Sequence, residues 1–223
     1  IRMFNAALAA TPAGAEMLKG PLTADAINSE EFADAFRTVA TLDQQNGSAN
    51  SSVNANDFAA DFNNGLSAVF INGVWGASQF AGSDNFVSCI YPNSVAISSA
   101  NTGLYVANDL SDAQKELALE FIKYMTSEEV QSRYFLETSS NPINENVDIQ
   151  KLAQESGDPT ALKLAEACDK CNKADTIVLA IDVCWGNDVG GALQNKFAEC
   201  AVAGTDIEAK LAELQAELTA LIG

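Results

Sequence analysis

Sequence patterns that mark the start of helices recur along this chain, and the predicted helices alternate with a few short apolar runs. Capping patterns open at Asn28, Ser111 and Thr205, each followed three positions later by a side chain that closes the cap. Helical spacing of apolar residues predicts helices over 28–45, 111–125, 147–156, 159–172 and 205–222. Short apolar runs predict strands over 66–71, 86–91, 94–98, 104–107 and 176–181. This pattern is typical of a helix-rich α/β fold whose sheet needs partners from elsewhere in the chain.

The length of 223 residues allows one large domain or two small ones, and a hydrophobic content of 48% supplies a core. A polar run over 46–56 predicts a surface loop, and the stretch 99–103 predicts a turn. The chain opens inside a helical pattern over 3–8, without a signal peptide, so we expect a fragment of a longer protein. No run approaches the roughly 18 apolar residues that a membrane span needs.

The charge balance and the absence of histidine exclude several functions. Thirty acidic residues against 12 basic ones give a net charge of −18, which repels nucleic-acid phosphates and anionic membranes. An acidic surface that keeps a secreted protein soluble explains this excess. Without histidine, the chain lacks Ser-His-Asp and Cys-His catalysis and any zinc site that uses histidine.

Five cysteines are an odd number for a chain of this length and do not predict a disulfide framework. Cys168 and Cys171 form a C-x-x-C pattern late in a predicted helix, away from the N-terminus where a thiol is activated. No second C-x-x-C completes a zinc site. Structural thiols are the favoured interpretation, and a disulfide or a metal site stays open.

Four segments, in this order, resemble the C-terminal half of a known family. They are the helix Ile27–Phe36, the stretch from Phe58 through an x-G-x-W turn at Asn72–Trp75, the helix pair 118–129, and the tail 193–218. Their order and spacing are similar to those of the maltose-binding-protein-like, carbohydrate-binding family of bacterial extracellular solute-binding proteins. The resemblance spans nearly the whole chain.

The resemblance implies a periplasmic-binding-protein-like (type II) α/β fold, in which two lobes joined by a hinge hold a sugar between them. Residues 1–91 and 140–223 would then belong to the C-terminal lobe, and 92–139 to the N-terminal lobe, with hinge crossings near 91 and 141. It also implies capture by hinge closure for the membrane subunits of an ABC importer. The protein would be a monomer, either extracellular at the cell surface, lipid-anchored as a full-length precursor, or periplasmic.

The residues expected to bind the sugar follow from its chemistry and from the resemblance. A sugar needs a flat aromatic surface for its C–H faces and polar groups for its hydroxyls. Trp75 and Trp185 lie in loops after short apolar runs and match family tryptophans that stack on the ligand. Asn72 and Asp182 are candidates for hydrogen bonds to hydroxyls, as is Asn141 beside the predicted hinge. The alternatives are a core position for either tryptophan, turn formation by Asn72 and helix capping by Asp182.

Two other functions stay open at this stage. A glycoside hydrolase needs two carboxylates across a cleft, and no acidic pair here lies in a recognisable motif. A helical scaffold module would use the helix over 205–222 to pair with a partner protein. We expect neither catalytic residues nor a metal or other cofactor.

Overall fold

A computed structural model describes residues 1–46, 55–80, 86–99 and 103–223. The predicted loop over 46–56 and the predicted turn over 99–103 lie largely outside these residues. The chain divides into two compact units. Unit 1 comprises Ile1–Val53, Ile90–Asn101 and Ala174–Gly223, and unit 2 comprises Asn54–Cys89 and Thr102–Lys173.

Unit 1 contains the two longest helices and both strands of the described residues. Its helices are α1 (Arg2–Ala9), α2 (Pro12–Met17), α3 (Ala24–Ile27), α4 (Glu30–Asn46), α10 (Ile181–Cys184), α11 (Asn187–Cys200) and α12 (Ile207–Ile222), with a short 3-10 helix at Pro92–Ser94. Among the described residues the sheet consists of β1 (Val95–Ser98) and β2 (Thr176–Leu179), which pair in parallel with Val95 opposite Thr176. The sheet therefore joins two stretches of chain that lie far apart in the sequence.

The core of unit 1 is aromatic at its centre. Phe4 of α1 meets the Phe32 ring of α4 edge-on, with ring centroids 5.1 Å apart. Phe36 of α4 stacks on Phe197 of α11 at 5.0 Å. Leu214 and Leu218 of α12 are also fully buried. Close aromatic and aliphatic packing of this kind supplies most of the stabilisation of a folded domain.

A buried carboxamide ties the first helix to the end of β2. Asn5 is completely buried, and its Nδ2 donates to the carbonyl oxygen of Leu179 at 3.2 Å. Its Oδ1 accepts from the backbone N–H of Ile181 at 2.9 Å. The two backbone groups lie at the junction of β2 and α10, where neither has its regular partner. Asn5 therefore replaces the secondary-structure hydrogen bonds that this junction lacks.

All the regular secondary structure in the described part of unit 2 is helical, and the helices are separated by irregular segments. It comprises α5 (Ala55–Asn63), a 3-10 helix at Val74–Phe80, α6 (Asp112–Met125), α7 (Glu128–Thr138), α8 (Ile149–Ser156) and α9 (Pro159–Asn172). Its core is small and is formed by Phe135, Ala153, Ala161, Leu164, Ala165 and Cys168. Helix α6 has no buried residue, and its Leu117 and Tyr124 are more than half exposed. No helix of the described residues is both long enough and apolar enough to cross a membrane.

Of the three predicted caps, the one at Ser111 is confirmed and the other two are displaced by one residue. Asn28 is the C-cap of α3, and the Ser29 hydroxyl accepts from the Phe32 N–H in the first turn of α4. Ser111 and Gln114 form the complete reciprocal capping box at the start of α6. Asp206, not Thr205, caps the last helix, and its carboxylate accepts from two backbone N–H groups of the first turn. The predicted helix over 159–172 matches α9 at both ends. The helix-rich α/β prediction holds for the described residues.

Three predicted strands are wrong, while the predictions over 94–98 and 176–181 are confirmed by β1 and β2. The backbone of 86–88 is held by side chains of α9: Lys163 Nζ donates to the Phe86 carbonyl at 3.1 Å, and Glu166 accepts from the Ser88 N–H at 3.3 Å. The stretches 66–71 and 104–107 lie at the surface, where Leu66 is 76% and Tyr105 83% exposed. A strand exists only where a second strand pairs with it, and these described stretches have no such neighbour.

The bounds of the two units differ from the predicted segments 1–91, 92–139 and 140–223. Residues 54–89 join 102–173 because Val74 and Ala77 pack against the cluster that α9 helps to form. The chain passes between the units at 89–90, close to the predicted crossing near 91, whereas residues around 141 lie inside unit 2. The assignment of segments to the lobes of the family fold stays a prediction.

Substitution of Asn5 by leucine should strongly destabilise the protein. Leucine has a similar volume but leaves the Leu179 carbonyl and the Ile181 N–H buried without partners, which costs about 2–4 kcal/mol. Urea denaturation followed by circular dichroism measures this loss. The control is Asn46→Leu, which removes an exposed carboxamide whose hydrogen bond among the described residues runs to the Leu42 carbonyl of its own helix. Equal stability of the two variants would contradict the role of Asn5.

Candidate functional site

The x-G-x-W turn presents Trp75 at the surface of unit 2. The 3-10 helix Val74–Phe80 packs on the core of unit 2 through Val74 and Ala77. Trp75 lies between these two anchors and points away from the core, because its side chain is 56% exposed. A large aromatic ring is thus held on an anchored turn with much of its surface open to solvent. This is the arrangement predicted for a ligand-stacking tryptophan.

Asn72 shapes the same turn. Its Oδ1 accepts from the Gly73 N–H at 2.8 Å, and the Gly76 N–H donates to the Gly73 carbonyl at 2.9 Å. A Cβ atom at Gly76 would lie only 3.2 Å from Nδ2 of Asn72. The exposed Asn72 side chain therefore folds back over the turn. The turn-forming alternative is the role that the structure shows for Asn72, and its hydrogen bonding to a sugar stays a prediction.

Trp185 occupies a different environment from the one that its turn-like neighbours predict. Its side chain is 9% exposed and belongs to the core of unit 1. The indole stacks on Phe32 with ring centroids 6.4 Å apart, and its Nε1 donates to the Met17 carbonyl at 3.4 Å. The expectation of an exposed ring is therefore corrected: α2 and α4 cover it. A sugar-binding role for Trp185 stays a prediction.

Asp182 lies in α10 and is ion-paired. Both of its carboxylate oxygens accept hydrogen bonds from the guanidinium of Arg2, with Nη2 3.2 Å from Oδ2. These hydrogen bonds hold the pKa of Asp182 below its usual value, although partial burial acts in the opposite direction. The carboxylate is thus charged at neutral pH and already has a partner. Hydrogen bonding of Asp182 to a sugar stays a prediction.

Asn141 is exposed on the segment between α7 and α8. The adjacent part of this segment is fixed to unit 2. The Ile143 N–H donates to Oε1 of Gln131 at 2.9 Å, and Nδ2 of Asn144 donates to the Thr126 carbonyl at 2.8 Å. Asn141 is therefore free to meet solvent from an anchored segment, and its ligand role stays a prediction.

The five predicted residues are divided between the two units. Asn72 and Trp75 share one turn of unit 2, and Asn141 lies in the same unit, whereas Asp182 and Trp185 lie at α10 of unit 1. The structure thus brings Asn72 and Trp75 together in one turn, and Asp182 and Trp185 together at one short helix.

A depression of about 300 Å³ on unit 1 contains none of the predicted residues. It lies between α1 and α4, and its acidic side chains are Glu30, Glu31 and Asp34. Two of these, Glu30 and Asp34, are ion-paired with Arg37. The depression offers no aromatic surface to a sugar.

All five cysteines are free thiols. Burial raises the pKa of Cys168 to about 12, and the nearby Cys171 adds to the effect. Burial also raises the pKa of Cys171. The raised pKa values favour protonated thiols at both positions, which is typical of structural cysteines. In the described part of the chain, no group of three or more cysteine or acidic residues is arranged to hold a metal ion.

Sequence reasoning missed the residues that support the predicted ones. Arg2 and Met17 engage Asp182 and Trp185 across more than 160 positions of sequence, and no local pattern signals such pairings. Gly73 was visible as part of the x-G-x-W motif, but its contact with the Trp75 ring was not. The sequence signal for this contact is the glycine two positions before the tryptophan in the x-G-x-W motif.

Comparisons with known proteins point to one family. The family model described as "Bacterial extracellular solute-binding protein" matches residues 3–160. A Streptococcus pneumoniae solute-binding protein, solved in complex with the blood group A-trisaccharide, is 39% identical and superposes with a TM-score of 0.91. The match covers 98% of this chain and 56% of that chain, so this chain spans little more than half the length of that protein. It confirms the predicted fold class. A comparison with curated proteins finds no match.

Acid should weaken the protein partly through the Arg2–Asp182 pair. Because folding lowers the pKa of Asp182, its contribution is complete above the unfolded pKa of about 3.9 and is lost as the pH falls through the folded value. Asp182→Asn should therefore lose less stability than the parent between about pH 6 and about pH 2. Urea denaturation at each pH measures the slope. A slope for Asp182→Asn equal to that of the parent would contradict the pairing.

Thiol labelling should distinguish the three interpretations of the C-x-x-C pair. In the native protein at about pH 8, iodoacetamide should modify exposed Cys89 quickly and buried Cys168 only after unfolding. Mass spectrometry of the peptides reports each site. Cys168 that resists labelling in urea until a reductant is added would indicate a disulfide, and resistance relieved by a chelator would indicate a metal.

Proposed function

The chain belongs to the bacterial extracellular solute-binding protein family, and we propose that the protein captures a sugar or oligosaccharide outside the cell for an ABC importer. The family model covers most of the chain, and a structural neighbour that is 39% identical was solved in complex with a trisaccharide. They confirm the resemblance drawn from the sequence.

The observation that carries the sugar-binding part is the exposed indole of Trp75. Sugars present apolar C–H faces that pack on an aromatic ring, and an indole gives the largest such surface of any side chain. Its position on an anchored turn limits the freedom that the ring loses when a ligand binds. A flat, rigid and partly exposed tryptophan is well suited to this ligand class.

Polar groups near this ring would orient the hydroxyls of the sugar. Asn72 belongs to the same turn and Asn141 is exposed in the same unit, so both are proposed as hydrogen-bonding partners. Asp182 and Trp185 already have protein partners. Contacts of these two residues with the sugar stay predictions.

The remaining parts of the proposal concern the complete protein. Binding would proceed by closure of two lobes on the sugar, and the closed form would be recognised by the importer's membrane subunits. The protein would act as a monomer at the cell surface, lipid-anchored as a precursor, or in the periplasm. It would carry out no covalent chemistry on its ligand.

Replacement of Trp75 by alanine should weaken sugar binding at least about tenfold, since removal of a tryptophan anchor costs more than about 1.4 kcal/mol. Isothermal titration calorimetry measures the Kd, first with the blood group A-trisaccharide and then with a panel of oligosaccharides. Tyr105→Ala is the matched control because it removes an exposed aromatic ring from the same unit.

The outcomes of this titration distinguish a specific role of Trp75 from sugar binding in general and from the two other candidate functions. Tyr105→Ala should bind as the parent does, and equal loss in both variants would contradict a specific role for Trp75. A folded parent that binds no member of the panel would contradict sugar capture. Release of free monosaccharides during the titration would favour the glycoside hydrolase, and self-association in light scattering would favour the scaffold module.

A further inference from the structure

We propose that Gly73 is the positioning residue for Trp75: its lack of a side chain lets the indole lie against the backbone of the turn, which fixes the ring face offered to the ligand. This inference deepens the proposed sugar-binding function and rests on it. Gly73, Trp75 and the groups that hold the Gly73 backbone all lie within one turn of unit 2.

The closeness of ring and backbone leaves no room for a side chain at Gly73. A Cβ atom built there would lie 2.5 Å from Cε3 of Trp75 and closer still to Cζ3 and Cη2. These three atoms belong to the six-membered part of the indole, so that part of the ring covers the Cα of Gly73. Non-bonded carbon atoms normally stay about 3.5–4.0 Å apart, so any side chain must displace the ring.

Backbone conformation does not explain a glycine at this position. Four glycines of the described chain have a positive φ, at Gly65, Gly157, Gly186 and Gly204, and Gly73 is not among them. Alanine could therefore adopt the backbone angles of residue 73 without strain. The close approach of the indole is the physical reason for glycine there.

Hydrogen bonds fix the backbone of the turn, so a side chain at residue 73 would displace the indole ring and not the backbone. The Gly73 N–H is held by Asn72 and the Gly73 carbonyl by the Gly76 N–H, at 2.8 and 2.9 Å. Val74 and Ala77 then anchor the following 3-10 helix on the core of unit 2. A methyl group at residue 73 would thus change the orientation of Trp75 while leaving the turn in place.

An oriented ring has a direct consequence for affinity. With one part of the indole resting on Gly73, the side chain gives up its rotamer freedom before the ligand arrives. Ligand binding to a mobile tryptophan would have to supply that ordering, which typically costs about 0.5–1.5 kcal/mol for a flexible side chain. Gly73→Ala should accordingly raise the Kd for the sugar by about three- to tenfold.

The first measurement follows the ring itself and needs no ligand. In protein labelled with 5-fluorotryptophan, the fluorine spectrum contains one resonance for each tryptophan, assigned with Trp75→Phe. Gly73→Ala should shift the Trp75 resonance and increase its broadening by a soluble paramagnetic agent. The Trp185 resonance should stay in place, because that ring lies in the core of unit 1 and reports that the protein is folded.

The chain supplies a closely matched control. Gly103 also precedes an exposed aromatic residue by two positions, but a Cβ atom there would lie 3.4 Å from the hydroxyl oxygen of Tyr105, an ordinary contact. Gly103→Ala should leave both fluorine resonances and the Kd unchanged. An unshifted Trp75 resonance in Gly73→Ala would overturn the inference, whether or not the parent binds sugar.

The second measurement is the Kd of the single and double variants. If Gly73 acts through the ring, Gly73→Ala combined with Trp75→Ala should bind no more weakly than Trp75→Ala alone. A further loss in the double variant, or a shifted resonance with an unchanged Kd, would overturn the positioning role. A parent that binds no sugar would contradict the proposed function, while the fluorine shift would still decide the contact between Gly73 and Trp75.

If Gly73→Ala does not fold, the double variant with Trp75→Ala provides a third test. Trp75→Ala removes the ring that the methyl group would meet, so the double variant should fold and have the stability of Trp75→Ala. A double variant that also fails to fold would overturn the inference, because the strain would then lie in the backbone and not against the ring.

Discussion

The buried carboxamide of Asn5 is the interaction on which the arrangement of unit 1 depends. It joins α1 to the junction of β2 and α10 through one donated and one accepted hydrogen bond. The Leu179 carbonyl lies on the edge of β2 away from β1, and the Ile181 N–H is the first of α10, so neither has a helix or strand partner among the described residues. Because an unpaired buried polar group costs about 1–3 kcal/mol, the junction tolerates few other arrangements. One side chain thus fixes the register of segments that lie more than 170 positions apart.

The environments of Asp182 and Trp185 follow from that fixed junction. The N–H of Ile181 begins α10, so the hydrogen bond to Asn5 sets where this short helix starts and where it points. Asp182 then meets Arg2 from the same helix as Asn5, and Trp185 reaches Phe32 at the end of α10. Their engagement is a property of unit 1 as a whole. The Asp182 carboxylate and the Trp185 indole N–H are therefore already hydrogen-bonded within the protein.

Local signals predicted the helices well and the strands poorly, for one physical reason. A helix satisfies its own backbone, so capping residues such as Ser111 and Asp206 mark its start whatever surrounds it. A strand needs a partner, and the apolar run over 86–91 meets lysine and glutamate side chains of α9 instead. The pairing of β1 with β2 joins residues about 80 positions apart, and no spacing in the sequence encodes it.

The two tryptophans show the same limit within the candidate site. Both stand in a local Trp-Gly sequence after a short apolar run, and both were expected to be exposed. Trp185 is covered by α2 and α4, which lie far from it in the sequence. The ring of Trp75 instead lies against Gly73 of its own turn. Long-range packing places the Trp185 ring in the core of unit 1. A local contact with a glycine orders a ring and still leaves a face open, which is the combination that stacking on a sugar requires.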